Sequence, residues 1–166
     1  MQCVQIIGYK NRGKTTLVEH LIGYFSKYHY QVAAIKHHGH GGPPLGWEKT
    51  DNAKHLQAGA DFAGVQGENL LQIATNKEWN LDVIIQLYTL LNVDILFIEG
   101  YKHEPKPKIV LIGEQEDIHL INKVSNLKAV VSSIPLEEIS VPIFKPNQLE
   151  KLACWLLEQY TQNLLH

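Results

Sequence analysis

Eight residues near the N-terminus have the types and the spacing that bind the phosphates of a nucleotide. The segment 8–15 matches the pattern G-x-x-x-x-G-K-[ST] in full. Its glycines let the backbone turn tightly, so that successive N–H groups can face phosphate oxygens. Lys14 is expected to reach the β- and γ-phosphates, and the hydroxyl of Thr15 is expected to ligate Mg²⁺. The pattern therefore predicts a protein that binds a nucleoside triphosphate.

The residues on either side of this loop give it the context that the pattern requires. The apolar run 3–7 predicts a strand that leads directly into Gly8. A predicted helix begins near Lys14. Apolar residues recur in it at helical spacing: Leu17, Val18, Leu21, Ile22 and Phe25. The N-terminus of a helix carries partial positive charge, which adds to the attraction for phosphate.

A carboxylate at the end of a later apolar strand is the candidate for the metal side of such a site. The predicted strand 94–99 begins with Asp94 and ends with Glu99. Glu99 is at the carboxyl end, near the phosphates, whereas Asp94 is at the far end. Glu99 is therefore the candidate catalytic residue, expected to hold the Mg²⁺ shell or to orient a water. The alternative is a solvated carboxylate at a strand end.

Asp51 is a second acidic candidate, at the start of a predicted helix over 51–58. Its side chain could cap that helix by accepting backbone N–H bonds. It could also belong to the metal or switch region, because the loop before it starts at the end of the second strand. Both roles could hold at once.

Three histidines, His37, His38 and His40, cluster in the glycine- and proline-rich loop 37–46. Such a cluster could bind Zn²⁺ or Ni²⁺. The favoured interpretation is that Lys36 and His37 contact phosphates or a nucleotide-bearing partner. Lys102, which follows Glu99 and Gly100, could serve in the same way or could simply be solvated.

The order of predicted elements indicates a single domain over residues 1–166 with an α/β fold. Strands alternate with helices, which implies a mainly parallel twisted sheet with helices on both faces, as in P-loop NTPases. The segments 61–66 and 70–75 flank Gly67 and predict a β-hairpin outside that alternation. Ligands of such sheets lie beyond the carboxyl ends of the strands. The phosphate loop, the histidine loop and residues 99–100 are therefore expected to converge. Further elements are predicted in the segments 31–36, 81–91, 108–112, 128–132 and 147–160.

Composition argues against several partner classes. The formal charge is −2 and the pI is about 6.5, with basic residues spread along the chain. These values argue against a general nucleic-acid binder or a protein that binds anionic membranes. The sequence shows no signal-peptide pattern and no apolar run near the roughly 20 residues of a membrane-spanning helix. A cytoplasmic location is the expectation.

Several segments, taken in order, resemble the MobB family of small P-loop GTP-binding proteins, which act in molybdopterin-guanine dinucleotide biosynthesis. The phosphate loop shows no such specificity by itself, because many NTPases share it. The remaining segments are more specific, and the resemblance covers roughly residues 1–112. They are Ala-Ile-Lys-His-His at 34–38, Lys-Thr-Asp at 49–51, Gln-Ala-Gly-Ala at 57–60, Ile-Glu-Gly-Tyr-Lys at 98–102 and Pro-Lys-Ile at 107–109.

The resemblance implies a GTP-binding accessory protein with weak intrinsic GTPase activity and Mg²⁺ as cofactor. It further implies assistance to a MobA-type guanylyltransferase, a homodimer, and molybdopterin at a shared interface. The nucleotide-binding candidates are Gly8, Asn11, Arg12, Gly13, Lys14, Thr15, Thr16, Lys36, His37, Asp51, Gly100 and Lys102. The metal candidates are Thr15, Asp51 and Glu99.

The residue that reads the base is left unassigned. The segments 122–125 and 75–78 only approximate the guanine-reading pattern Asn-Lys-x-Asp. Ser132-Ser133 stands where members of the resembled family often have a Thr or Ser-Asp pair after the late strand. Two other functions stay open: a metallochaperone-type GTPase that uses the histidine loop, and a small-molecule kinase. Arg12 is the only arginine in the chain. That count fits slow hydrolysis and disfavours a kinase, whose lid usually carries arginines.

Overall fold

The structure is a computed structural model that describes residues 1–37, 49–137 and 139–165. The strands β1 to β8 are Gln2–Ile7, Val32–Lys36, Phe62–Gln66, Leu71–Thr75, Ile95–Glu99, Lys108–Ile112, Leu127–Ser132 and Ile143–Phe144. The helices α1 to α5 are Lys14–Lys27, Asp51–Gln57, Leu81–Leu90, His119–Lys123 and Leu149–Thr161. A 3-10 helix, Gln115–Ile118, leads directly into α4.

The main sheet has the strand order β2-β5-β1-β6-β7-β8, and each neighbouring pair is parallel. Strand β1 therefore lies at its centre, between β5 and β6. In this register Ile6 is paired with Glu99 of β5 and with Ile109 of β6. The carboxyl ends of these central strands consequently share one edge of the sheet, as the alternation of strands and helices predicts.

Alternating residues of the central strands divide the core between the two faces of the sheet. On one face, Ile6, Ile109 and Leu111 pack with α1 and α5. On the other face, Ile7, Val110 and Ile112 pack with the region of the 3-10 helix and α4. Every residue of β5 and β6 is buried, which explains their nearly continuous apolar sequences. The predicted α/β fold, with helices on both faces of a mainly parallel sheet, is confirmed.

Contacts divide the chain into two compact units, residues 1–37 with 84–166 and residues 38–83. The second unit, described from residue 49, contains α2 and an antiparallel hairpin of β3 and β4. Ala53 and Leu56 of α2 and Ala63 of β3 are buried there. The predicted hairpin is confirmed. The single domain over 1–166 stays a prediction.

Local differences from the predicted elements have simple causes. The cap of α2 is Thr50, whose hydroxyl accepts the N–H of Ala53 at 3.2 Å, so the prediction that Asp51 caps this helix is wrong. Asp51 is instead the first helical residue.

Helix α4 and strand β8 were not predicted because they are too short to show a period. Among the described residues, no helix is long and apolar enough to cross a membrane.

Candidate nucleotide-binding site

The phosphate-binding pattern lies where β1 passes into α1, at the carboxyl edge of the main sheet. Two residues of this loop adopt left-handed backbone, Asn11 with φ of 62° and Gly13 with φ of 82°. Gly13 is also the N-cap of α1. A left-handed conformation at the cap favours glycine, because any side chain would be strained there. The loop therefore ends with backbone N–H groups of the first helical turn available to a ligand.

Gly8, at the start of the loop, is required for a different reason. A Cβ atom at this position would lie 3.2 Å from both Cβ and the carbonyl oxygen of Leu111 in β6. This spacing leaves little room for a side chain, so glycine permits the close packing of the loop against β6. Close packing against β6 therefore explains why the first residue of the pattern is glycine in this chain.

Lys14, the first residue of α1, folds back over the loop. Its Nζ donates to the carbonyl oxygen of Tyr9 at 2.7 Å. Burial lowers the pKa of Lys14, an effect that the nearby Glu99 carboxylate opposes and Lys36 reinforces. The ammonium group therefore sits over the loop in an environment where an anionic ligand would stabilise its charge.

Thr15, Lys36 and Glu99 form a connected polar cluster at the ends of three elements. The Thr15 hydroxyl donates to Oε2 of Glu99 at 3.1 Å, and Nζ of Lys36 lies 3.0 Å from Oε1 of the same carboxylate. Lys36 Nζ also lies 3.5 Å from the Thr15 hydroxyl oxygen. Glu99 is buried, with only 8% of its surface exposed. The alternative of a solvated strand-end carboxylate therefore does not describe this residue.

The same cluster has the donor set that Mg²⁺ prefers. A hydroxyl oxygen and a carboxylate oxygen face each other at hydrogen-bond distance, and both are hard oxygen ligands. The ammonium group of Lys36 contacts both residues, so a cation already lies beside these oxygens. Thr15 and Glu99 thus fit the predicted metal role by chemistry and position.

The structure also places His37 and Gly100 beside this cluster. The N–H of His37 donates to the carbonyl oxygen of Glu99 at 2.9 Å, and its ring lies 4.3 Å from that of Tyr101. Gly100 has φ of 99°, and a Cβ there would lie 3.0 Å from Cβ of His37. The turn after β5 is supported from β1, because the amide of Gln5 donates to the carbonyls of both Gly100 and Tyr101, at 3.0 and 2.6 Å.

The side chain of Arg12 extends from the loop to two acidic residues, Asp117 and Glu114, that were not among the predicted site residues. Its Nε lies 2.6 Å from Oδ2 of Asp117, and its Nη2 pairs with Glu114. Asp117 is almost completely buried. Its burial favours a higher pKa, but hydrogen bonds from Arg12 and the Gly113 N–H outweigh this effect and lower the pKa. The sequence feature that could have indicated these two residues is the Glu114-x-x-Asp117 spacing, which forms a capping box at the 3-10 helix.

A pocket of about 150 Å³ adjoins the loop on the side of β6 and β7. Its lining residues are Arg12, Gly13, Thr16, Leu17, Leu111, Ile112, Val131, Ser133, Pro146 and Leu149. The lining is mostly apolar, with a few polar groups beside the loop. The neighbouring Ser132 is engaged locally, because its hydroxyl donates to the carbonyl of Ile134 at 2.7 Å.

The remaining candidates are Asp51, Lys102, His38 and His40. Asp51 belongs to the second unit, where its carboxylate pairs with Lys54 at 2.8 Å. Lys102 is exposed in the loop after β5. His38 and His40 lie outside the described residues. Within the ranges 1–37, 49–137 and 139–165, no group of three or more His, Cys, Asp or Glu residues is arranged to hold a metal ion.

A protein-family model described as "Molybdopterin guanine dinucleotide synthesis protein B" matches residues 3–133. The chain belongs to the MobB family. A probable molybdopterin-guanine dinucleotide biosynthesis adapter protein of Bacillus subtilis is 39% identical over 129 residues, which cover 77% of this chain and 74% of that protein. The corresponding adapter protein of Haemophilus influenzae is 30% identical over 163 residues, covering 97% and 88%. The resemblance stated from the sequence is confirmed.

Solved structures agree with the family and the fold. The MobB homologue from Bacillus stearothermophilus superposes with a TM-score of 0.79 at 30% identity, covering 98% of this chain and 99% of that chain. HypB from Helicobacter pylori, solved in complex with nickel, superposes with a TM-score of 0.54 at 16% identity, covering 100% and 90%. At that identity the likeness to HypB concerns the fold alone. This MobB-family chain therefore has the P-loop NTPase fold.

Proposed function

We propose that this MobB-family protein binds GTP together with Mg²⁺ and acts as an adapter in molybdopterin-guanine dinucleotide biosynthesis. The observation that carries the proposal is the cluster of Thr15, Lys36 and Glu99 beside the phosphate loop. The hydroxyl-to-carboxylate distance of 3.1 Å joins the start of α1 to the end of β5. Family membership and the names of the relatives support the pathway.

Each part of the loop has a role in holding the triphosphate. Backbone N–H groups between Asn11 and Thr16 bind phosphate oxygens at the N-terminus of α1. Lys14 leaves the Tyr9 carbonyl and pairs with the β- and γ-phosphates, which removes part of the cost of its burial. The pocket of about 150 Å³ takes the nucleoside end.

Thr15 and Glu99 would hold Mg²⁺, which when bound neutralises charge between the β- and γ-phosphates. Lys36 then gives up its contact with Glu99 and, with His37, is free to face phosphate oxygens. Asp51, the third proposed metal residue, lies in the other unit and stays a prediction. Glu99 also remains the candidate for orienting the attacking water.

Hydrolysis is proposed to be weak. The only arginine of the chain, Arg12, is held by Asp117 and Glu114, so a positive charge dedicated to the γ-phosphate is not supplied by an arginine of this chain. GTPases with the arginine in place are several orders of magnitude faster than those without it. Slow turnover suits an adapter whose nucleotide-bound form is the working state.

The proposed partner is a MobA-type guanylyltransferase, with molybdopterin at the shared interface and the adapter as a homodimer. The hairpin supports self-association. Phe62, Leu71 and Ile73 lie on one face of β3 and β4 and are more than half exposed. Among the described residues this sheet has only two strands. A two-stranded hairpin is marginally stable by itself, and a second copy of the same chain can pair with its edges and cover its apolar face.

The proposed adapter function is tested by guanylyl transfer to molybdopterin catalysed by a MobA-type enzyme in vitro. Adding the wild-type protein should raise the yield or rate of dinucleotide formation at limiting GTP. The Lys14→Ala variant should give no stimulation, whereas Lys27→Ala, which removes the same charge from the far end of α1, should act like the wild type. Equal stimulation by Lys14→Ala would contradict a nucleotide-dependent adapter.

A further inference from the structure

Arg12 occupies a position between two left-handed residues of the phosphate loop, yet its side chain is directed to another part of the fold. The guanidinium group contacts Asp117 through Nε at 2.6 Å and through Nη2 at 3.4 Å, and it also pairs with Glu114. These carboxylates lie more than 100 residues away in sequence. The contact therefore ties the loop to the segment that follows β6.

The anchoring carboxylate is itself fixed. Asp117 is 1% exposed, and its Oδ2 also accepts the N–H groups of Gly113 at 2.8 Å and Glu114 at 3.2 Å. A buried carboxylate with three donors has little freedom to move, because movement would break hydrogen bonds that stabilise its charge in the interior. The Asp117 carboxylate thus fixes the position of the Arg12 guanidinium group that it contacts.

The Arg12 side chain lies directly against the backbone of Gly113. A Cβ atom at Gly113 would lie 2.4 Å from Cδ and 2.7 Å from Nε of Arg12, well inside any real contact distance. The backbone of Gly113 is not left-handed, so space rather than conformation calls for glycine here. The path of Arg12 to Asp117 therefore runs directly over the Cα atom of Gly113.

A second contact holds the same loop. The hydroxyl of Tyr9 lies 2.8 Å from Nε2 of His119, and the two rings are 5.8 Å apart. Tyr9 and Arg12 therefore anchor both ends of the short left-handed turn at Asn11 to the region of the 3-10 helix and α4.

We propose that Arg12 is a positioning residue: clamped by Asp117 over Gly113, it holds the phosphate loop in its ligand-binding conformation and does not itself contact the γ-phosphate. The inference rests on the proposed function, since it assigns a role within the same site. Holding the loop before binding reduces the conformational entropy that the ligand must overcome. The gain in affinity applies to any ligand that binds the loop, so the affinities for GDP and GTP rise by the same factor.

The test combines affinities with a measurement that needs no nucleotide. GDP and GTP are titrated calorimetrically into the wild type, Arg12→Ala, Gly113→Ala and the double variant, with Glu116→Gln as the control. Glu116 is an exposed carboxylate of the same 3-10 helix. Hydrogen exchange of the amides in residues 8–13 is measured on the same unliganded proteins.

The proposal predicts that Arg12→Ala and Gly113→Ala each weaken GDP and GTP by a similar factor of about ten. Gly113→Ala should have almost no effect when Arg12 is already alanine, because the atoms that its Cβ meets are gone. Exchange in the loop should be faster in both single variants and unchanged in Glu116→Gln. The double variant distinguishes this clamp from general damage to the fold. If Gly113→Ala simply damaged the fold, it would weaken binding by the same factor whether residue 12 is arginine or alanine.

Three results would overturn the proposal. A loss confined to GTP would mean that Arg12 contacts the γ-phosphate directly. Unchanged affinities in Arg12→Ala would mean that the clamp does not serve binding. Unchanged loop exchange in both single variants would mean that the clamp does not hold the loop. If the wild type binds neither nucleotide, the proposed function fails, and the exchange data alone decide whether Arg12 holds the loop.

Discussion

At the scale of single side chains, the cluster of Thr15, Lys36 and Glu99 is the part of the molecule whose chemistry is most specific. A buried carboxylate next to a hydroxyl needs a compensating positive charge, and Lys36 supplies it at 3.0 Å. A divalent cation bound to the same oxygens would provide more charge and release the lysine. This arrangement is consistent with the proposed binding of Mg²⁺ together with GTP.

Glu99→Gln should weaken Mg²⁺-dependent GTP binding by about 10–100-fold, because the amide keeps the shape of the side chain but loses the charge that holds the metal. Binding of GTP in the presence of EDTA should change much less. Titration of GTP at several Mg²⁺ concentrations measures both effects. Glu19→Gln, an exposed carboxylate on α1, is the control. An equal loss with and without Mg²⁺ would argue against a metal role for Glu99.

Asp117 gives a prediction about acid stability. Its folded pKa lies below the unfolded value of about 3.9, so the ionised carboxylate stabilises the fold at neutral pH. That contribution is lost as the pH falls through the lowered folded pKa. Urea unfolding from pH 7 to below pH 4 should show a smaller loss of stability for Asp117→Asn than for the wild type. Parallel pH profiles for the two proteins would contradict the assignment, and Glu116→Gln should follow the wild type.

At the scale of elements, the strand, loop and helix around the phosphate pattern could be predicted because their signals are local. The apolar run of β1, the glycines of the loop and the helical spacing of α1 all lie within residues 2–27. The sequence offers Asp51 as a possible cap of α2, whereas the cap is Thr50, since both residue types cap helices and the register of a short helix has no strong period. The loop pattern predicts Arg12 as a nucleotide-binding residue, whereas its contacts with Glu114 and Asp117 could not be predicted because these residues are distant in sequence and only the fold brings them together.

The hairpin of β3 and β4 is the element for which self-association makes the clearest prediction. Ile73→Lys should weaken the homodimer by roughly tenfold or more, because it places a charge in the proposed apolar contact. Gln72→Lys adds the same charge on the opposite face and should have little effect. Sedimentation velocity over a range of concentrations measures both variants. Equal self-association of Ile73→Lys and the wild type would exclude this face of the hairpin as the dimer contact.

At the scale of the whole molecule, the fold class and the family could be predicted, whereas the strand order could not. Alternation of strands and helices implies a parallel sheet, but it does not say that β5 lies between β1 and β2. That insertion brings Glu99 beside Thr15, so the sequence predicted both residues of the proposed metal site without showing how they meet. Asp51 belongs to the second unit, and its metal role stays a prediction.

The central claim is that GTP with Mg²⁺ binds at the loop of Lys14 and Thr15, and calorimetric titration tests it most directly. We expect the wild type to bind GTP with Mg²⁺ and to bind ATP much more weakly. Lys14→Ala should lose about 100-fold or more in GTP affinity, because it removes charge-assisted hydrogen bonds to phosphate, while Lys27→Ala should bind normally. Equal or tighter binding of ATP, or GTP binding that survives Lys14→Ala unchanged, would contradict the claim.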